Sequence, residues 1–370
     1  MAYVDRIELF RKYESLRNRP LIAYVTSVRP NLNAPMAGDS IPCIIKQIEH
    51  VPKDKKEIDF LIISNGGDPI TSLRTISALR ERFEKITVVV PYVAYSAATV
   101  LALGADEILM HPFSNLGPVD PQITAPKQNE TGQISLLDFS SEDVRNYIEF
   151  VKTDVGITDQ AQLITAFDSL AKEVGPLLIG KAKRGQQLSV SLSIKLLETH
   201  MHDTNKATTI VKSLNSEFYH HGYAVGRTEA KNIGLDVLSP PEEIEKLIWE
   251  IWQDYSAEMK CDTEFNPITE IMNDPDAKTV IECVPVLSLP VNAPQELSQS
   301  IILQLLDQNT KVMQQNPIEI TSSFASIDSV YESFSYKLNL NIIYWRDLNM
   351  NLSFNITNYS DGWISSKEQR

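Results

Sequence analysis

Cysteine is scarce: Cys43, Cys261 and Cys283 are the only three in 370 residues, odd in number, far apart and in no ligand-like spacing. That excludes a disulfide framework and a thiolate zinc site, so reduced thiols in a cytoplasmic protein are expected. Basic charge is in deficit as well. Lys and Arg number 34 against 48 Asp and Glu, a formal net charge of −14, and such a surface repels phosphate backbones and anionic lipid. The one short basic run, Lys181-Ala182-Lys183-Arg184, is too small for a nucleic-acid surface, so no nucleic-acid partner is expected. Met1 to Arg19 mixes charges of both signs without an apolar core, and no secretory signal is expected there. Internal repeats are lacking too. Ile86 to Ala105 carries no charge and is long enough to span a membrane. Pro91 and the polar Tyr92, Tyr95, Ser96 and Thr99 interrupt it, so it reads as a buried strand followed by a buried helix. No membrane span is expected.

What is present is an ordinary globular balance, 43% hydrophobic and 22% charged, in a chain long enough for two domains. Leu21 to Val28, Phe60 to Ser64, Ile86 to Val90 and Glu107 to Met110 read as strands. Ile41 to Val51, Pro69 to Phe83 and Ser96 to Leu103 read as helices between them, the second with Ile70, Leu73, Ile76, Leu79 and Phe83 at helical spacing. Strand, helix, strand at these intervals predicts parallel β-α-β units, whose doubly buried strands are continuous apolar runs. Pro118 to Gly132 is turn-rich and is expected to be a mobile loop. Helical segments follow at Ser141 to Lys152, Ser189 to Met201, Lys206 to Tyr219 and Glu242 to Tyr255. The texture changes near Cys261. Residues 261–370 are expected to form a separate C-terminal region of unknown role, strand-forming where Leu338, Leu340, Ile342 and Tyr344 alternate with polar residues.

Two local features would serve one reaction. Ser64-Asn65-Gly66-Gly67-Asp68 ends a strand and precedes a helix. Its glycines let the backbone turn sharply and present N–H groups that can stabilise an oxyanion. Ala94-Tyr95-Ser96-Ala97-Ala98-Thr99 sits between the next strand and helix, where small residues admit a peptide carbonyl and the helix dipole favours developing negative charge. Alone, the first is a turn and the second an N-cap. Together, one β-α-β unit apart and in this order, they are far more specific.

These segments, with Val100-Leu101-Ala102-Leu103-Gly104-Ala105-Asp106-Glu107-Ile108 and Pro112-Phe113-Ser114-Asn115-Leu116-Gly117-Pro118-Val119-Asp120-Pro121-Gln122, resemble the Clp-fold family of serine dehydrogenase proteinases. That family is related to signal peptide peptidase A and, more distantly, to the Clp protease subunit. The likeness continues through Gly175 to Gly180, Lys195 to Met201 and His221 to Leu235, and so covers roughly residues 20 to 240. It implies an α/β fold, a Clp/crotonase-type spiral of β-α-β units followed by helices that mediate oligomerisation, over residues 1–260. It implies a serine endopeptidase with Ser96 as nucleophile, Gly66 and Gly67 as oxyanion hole, and Asp68, Leu116 and Gly117 at the substrate. The loop around Leu116-Gly117 would pair with an extended peptide. No cofactor is expected, and a homo-oligomer is.

The base is less plain. Where the Clp subunit has its histidine this chain has Val119 or Asp120, and His111 at the end of a strand reads as structural. Signal peptide peptidases use a lysine from a later helix, and Lys152, in Tyr147-Ile148-Glu149-Phe150-Val151-Lys152, occupies a comparable stretch, with Lys181 and Lys183 in reserve. Burial would lower the pKa of such a lysine and make it a base. His200, His202, His220 and His221 have no familiar ligand spacing, and no metal is expected. Two rivals remain. A crotonase-type acyl-CoA enzyme would use the same oxyanion hole without a nucleophile, but it favours glycines where Ser96-Ala97-Ala98 stand. A non-catalytic scaffold of the same fold would account for the missing histidine.

Overall fold

The structure, a computed structural model, describes residues 3–128, 134–216, 222–275, 277, 299–304, 317–346 and 351–367. It opens with a helix that composition concealed, α1 (Tyr3–Arg17), whose inward stripe is Arg6, Phe10 and Tyr13. A charged residue on the buried face cancels the amphipathic signal. β1 (Leu21–Thr26) is apolar and buried throughout. A single turn at Gly38–Ser40 then leads into α2 (Ile41–His50). β2 (Glu57–Ile63), α3 (Pro69–Arg82) and β3 (Lys85–Val90) follow, then the two-residue β4 (Val93–Ala94), α4 (Ala97–Ala102) and β5 (Glu107–Met110). Asp68 caps α3 by accepting the Ile70 N–H at 3.0 Å, and Pro69 occupies the first helical position.

The apolar runs pair in parallel, as their composition requires. Ile22 lies opposite Phe60, Phe60 opposite Val88, and Val88 opposite Ile108. Alternation sorts their side chains. Ile22, Tyr24, Phe60, Ile62, Val88 and Val90 pack on one face, against α2, α3, α4 and two later helices, α7 (Pro176–Leu197) and α8 (Thr204–Ser216). Leu21, Ala23, Val25, Leu61, Ile63 and Val89 pack on the other, against α1 and α10 (Glu242–Met259). The uncharged stretch Ile86 to Ala105 is therefore a strand and a six-residue helix. Among the described residues no helix is long and apolar enough to cross a membrane.

Within the expected mobile loop at Pro118 to Gly132, Gln122 to Gln128 form a strand. After β6 (Asn115–Leu116), β7 (Gln122–Gln128) pairs antiparallel with β8 (Ile134–Ser140). Ile123, Ala125 and Phe139 turn inward onto Ala182 of α7. Gly132 lies outside the described residues. α5 (Ser141–Thr153) starts with a reciprocal capping box between Ser140 and Asp143. α6 (Gln160–Val174), which periodicity did not reveal, runs up to α7, which begins 13 residues earlier than the Ser189 start read from the sequence and ends at Leu197. α8 is described as far as Ser216, and Tyr219, His220 and His221 lie outside the described residues. β9 (Val225–Gly226), α9 (Arg227–Ile233) and β10 (Val237–Leu238) lead to α10, and β10 joins the parallel sheet beside β5.

The described C-terminal strands continue the same sheet. After α11 (Pro267–Asn273), β11 (Ile318–Asp328) lies antiparallel to β1, with Ala23 opposite Asp328 and Thr26 opposite Ala325. β12 (Ser333–Arg346), β13 (Leu352–Tyr359) and β14 (Trp363–Ser365) extend the sheet outward, in the order β10-β5-β3-β2-β1-β11-β12-β13 with β14 also on β12. The physical reason is the open edge of β1. A buried strand needs a partner for its N–H and C=O groups on both sides, and β11 supplies it. Cys283 lies outside the described residues, and Cys43 and Cys261 are free.

Candidate active site

The chain turns from β4 into α4 at a single residue. Ser96 has φ 50° and ψ −115°, a backbone region that residues with a side chain rarely occupy. The surroundings hold it there. Val100 N–H donates to Ser96 O at 3.0 Å and Ala98 N–H to Tyr95 O at 2.9 Å. Ser72 Oγ donates to Ala97 O at 2.6 Å. Thr99 Oγ1 lies 2.6 Å from Ala94 O and accepts the Gly117 N–H at 3.0 Å. Ser96 itself makes no capping hydrogen bond to α4. The N-cap role that a serine at this position ordinarily plays is not its role here. Its half-buried side chain lines a cleft of about 630 Å³.

The diglycine corner stands against it. Gly66 and Gly67 have φ of 107° and 147°, which glycine alone adopts without strain. A Cβ on Gly66 would lie 2.8 Å from the Ser96 Cβ, so the two backbones are in contact. The glycines are not equivalent. Gly66 N–H donates to Ser64 Oγ at 3.0 Å, which removes it from the oxyanion hole assigned from the sequence. Gly66 O accepts the Met36 N–H at 2.7 Å, and Asp68 N–H donates to Met36 O at 2.9 Å. The peptide joining Gly66 to Gly67 is planar and trans, so its N–H points opposite to its C=O. With the carbonyl turned to Met36, the Gly67 N–H is turned away from Met36. A backbone donor that the sequence reading did not include stands beside it: Ala97 N–H, the first of α4, which has no partner within the helix. Its place directly after Ser96 is the signal in the sequence that points to it.

The remaining residues read from the sequence separate into those at the cleft and those away from it. Lys152 is exposed on α5, because Val151 takes the inward face. It lines a different groove, between α5 and α7, together with Lys183. Lys183 Nζ donates to Gln186 Oε1 at 3.0 Å, and Lys181 is exposed. None of the three lysines lines the Ser96 cleft. Val119 does, and Asp120, which accepts from Gln122 Nε2 at 3.2 Å, does not. His111 stacks on Trp249 with ring centroids 4.7 Å apart, and burial holds its pKa below the usual histidine value. His200 Nε2 lies 3.0 Å from Leu103 O at the end of α4, with burial likewise lowering its pKa.

Asp68 is engaged as the α3 cap. Leu116 is fully buried in β6, the middle strand of a three-stranded sheet between β4 and β9. Both edges of β6 are taken, and both polar groups of the Gly117 backbone face Thr99 at 3.0 Å. That segment has no free edge for a peptide. The edge at the cleft is β7, which among the described residues pairs only with β8 and contributes Gln122 and Thr124 to the lining. No group of three or more His, Cys, Asp or Glu among the described residues is placed to hold a metal ion.

Residues 36–134, from the Met36 bridge to the first residue of β8, match the family of ClpP-like SDH-type serine proteinases. Two uncharacterized proteins of Methanocaldococcus jannaschii are similar to this chain. MJ1495 is 26% identical over 209 residues, 55% of this chain and 60% of the relative. MJ0137 is 31% identical over 206 residues, 55% of this chain and 62% of the relative. The chain thus spans less than two thirds of the length of the curated relatives it matches. Among solved structures, an alanine-substituted form of the 1510-N membrane-bound stomatin-specific protease aligns with TM-score 0.33 and 14% identity over 62% of this chain and 84% of that one. A second substituted form, in complex with a substrate peptide, aligns with TM-score 0.34 and 13% identity over 61% and 78%. Both scores are too low to argue from. The matched residues 36–134, similar to the ClpP-like SDH-type serine proteinases, hold both the diglycine corner and the strained serine.

Proposed function

We propose that this protein is a serine peptidase in which the Ser96 hydroxyl attacks a peptide carbonyl and the N–H groups of Gly67 and Ala97 receive the oxyanion. One observation carries the reading: a serine held in a strained backbone conformation, with its side chain free of the helix it precedes and against the diglycine corner. Strain of this kind persists only where the surroundings over-determine it, and it gathers at functional sites. An extended peptide would lie between the Gly66–Gly67 corner and the outer edge of β7, in place of the Leu116-Gly117 pairing expected from the sequence. The cleft is lined by Val100, Val119, Leu188 and Pro121 and by uncharged polar groups such as Asn65 and Gln122, with no charged side chain among its described lining. Uncharged peptides fit such a lining, because an unpaired charge brought into it loses hydration without compensation.

That same lining favours a second reading. Among the described residues no Lys, His, Asp or Glu lines the cleft, so a Ser-Lys dyad within one chain lacks support, and a non-catalytic scaffold would need none. The crotonase-type alternative is weaker, since it gives no reason for the strained serine. Hydrolysis of a set of fluorogenic peptides decides between them. The expected result is cleavage of uncharged peptides at least about tenfold faster in kcat/KM than of peptides acidic at the cut, with Ser96→Ala lowering kcat by about three orders of magnitude or more. A Ser96→Ala protein that still cuts defeats the nucleophile. A wild-type protein that cuts nothing favours the scaffold.

A further inference from the structure

Behind the diglycine corner lies a pair of hydroxyls that the reaction itself does not use. Thr26, the last residue of β1, and Ser64, just past the end of β2, are fully buried. Thr26 Oγ1 donates to Ser64 Oγ at 2.8 Å. Ser64 Oγ in turn accepts the Gly66 N–H at 3.0 Å and donates to Gly66 O at 3.4 Å. A hydroxyl has one proton and two lone pairs. All three are engaged, and two of the three contacts go to the backbone of Gly66. Resting on the peptidase reading, we infer that Ser64, oriented by Thr26, is a positioning residue: it fixes the peptide that presents the Gly67 N–H to the oxyanion.

The chemistry explains why a side chain is needed there. Gly66 has the widest backbone freedom of any residue type, and its carbonyl has one strong partner, Met36 N–H at 2.7 Å. One hydrogen bond leaves a peptide plane free to rock about its axis. Contacts to both the N–H and the C=O of Gly66 remove that freedom. Ser64 also keeps the Gly66 N–H engaged, so that it does not compete with Gly67 for the substrate oxygen. Thr26 is placed by β1, which is paired on both sides, by β2 and by β11. The antiparallel C-terminal strands therefore brace the oxyanion corner through two hydroxyls, which gives residues beyond 261 a part in the site.

The test is steady-state kinetics of Ser64→Ala, Thr26→Val and Thr26→Ser on an uncharged peptide, with the inhibition constant of a peptide aldehyde whose adduct places an oxygen in the hole. Ser64→Ala is expected to lower kcat by about tenfold to a hundredfold with KM changed less than about twofold. Aldehyde affinity should fall with kcat. Thr26→Val should lose about threefold to tenfold, and Thr26→Ser, which keeps the hydroxyl, should stay near wild type. If Ser64→Ala does not fold, the Thr26 pair carries the same comparison. An unchanged kcat in an active enzyme, or a loss shared equally by kcat and KM without rescue by Thr26→Ser, overturns the inference alone. A wild-type protein inert to the peptide and to the aldehyde defeats the peptidase reading, and the inference falls with it.

Discussion

Replacing Gly67 with alanine is expected to lower kcat by about two to three orders of magnitude, the loss that removing one oxyanion donor brings. A Cβ at this position would lie 2.3 Å from Met36 O and 2.4 Å from Met36 N, inside the contact distance of any two atoms. The residue also holds φ at 147°, where an L side chain is strained. Met36 must therefore leave the bridge or the Gly66–Gly67 peptide must turn. Either way the Met36 N–H no longer fixes the carbonyl, and the Gly67 N–H loses its direction. Binding should suffer less than turnover, because an oxyanion exists only after attack. Kinetics with KM resolved from kcat check this. A Gly67→Ala enzyme within about threefold of wild-type kcat would mean that the donor lies elsewhere.

The largest expected effect on stability belongs to Arg6. Its guanidinium donates to Asp254, to Asp328 at 2.7 Å and to Glu258, and it stacks 3.6 Å above the Tyr255 ring. Arg6, Asp254 and Asp328 are all essentially without solvent. Tyr255 adds a hydrogen bond to Asp328 at 2.7 Å, and burial with that neighbouring carboxylate raises its pKa well above the usual tyrosine value. The cluster joins α1, α10 and β11, three elements far apart in sequence. Arg6→Met keeps the volume but leaves two carboxylates buried without their cation. A destabilisation of about 3–5 kcal/mol is expected, as when one partner of a buried ion pair is removed. Chemical denaturation of the full chain measures it. A change below about 1 kcal/mol would show that water reaches the cluster.

Several features of the fold were readable from residue order. Leu21 to Thr26, Phe60 to Ile63 and Ile86 to Val90 are continuous apolar runs, and only a strand covered on both faces requires such a run at that length. The diglycine corner and the serine turn were readable too, because few backbones need two adjacent glycines and then a serine before small residues. What was hidden had physical causes. α1 escaped because Arg6 sits on its inward face, where periodicity expects an apolar residue. The β7–β8 hairpin escaped because Pro126 and the polar residues around it give a turn-like composition, although the register needs only Ile123, Ala125 and Phe139 inside.

The site shows the same limit. Gly66 and Gly67 are identical letters, and only the Met36 bridge and the Ser64 hydroxyl distinguish the engaged N–H from the available one. Leu116 looked like a free edge because β9, which closes it, comes more than a hundred residues later. Only its place in the chain points to Lys152. Helical phase fixes which way it faces but not its distance from a serine on another element.

The most direct measurement of whether Ser96 is an activated nucleophile is its reaction with a fluorophosphonate, followed by peptide mapping in a mass spectrometer. One phosphonyl group on Ser96, absent from Ser96→Ala and slowed in Gly67→Ala, is the expected result. Modification of another residue, or none at a concentration that labels a known serine hydrolase within minutes, would contradict it.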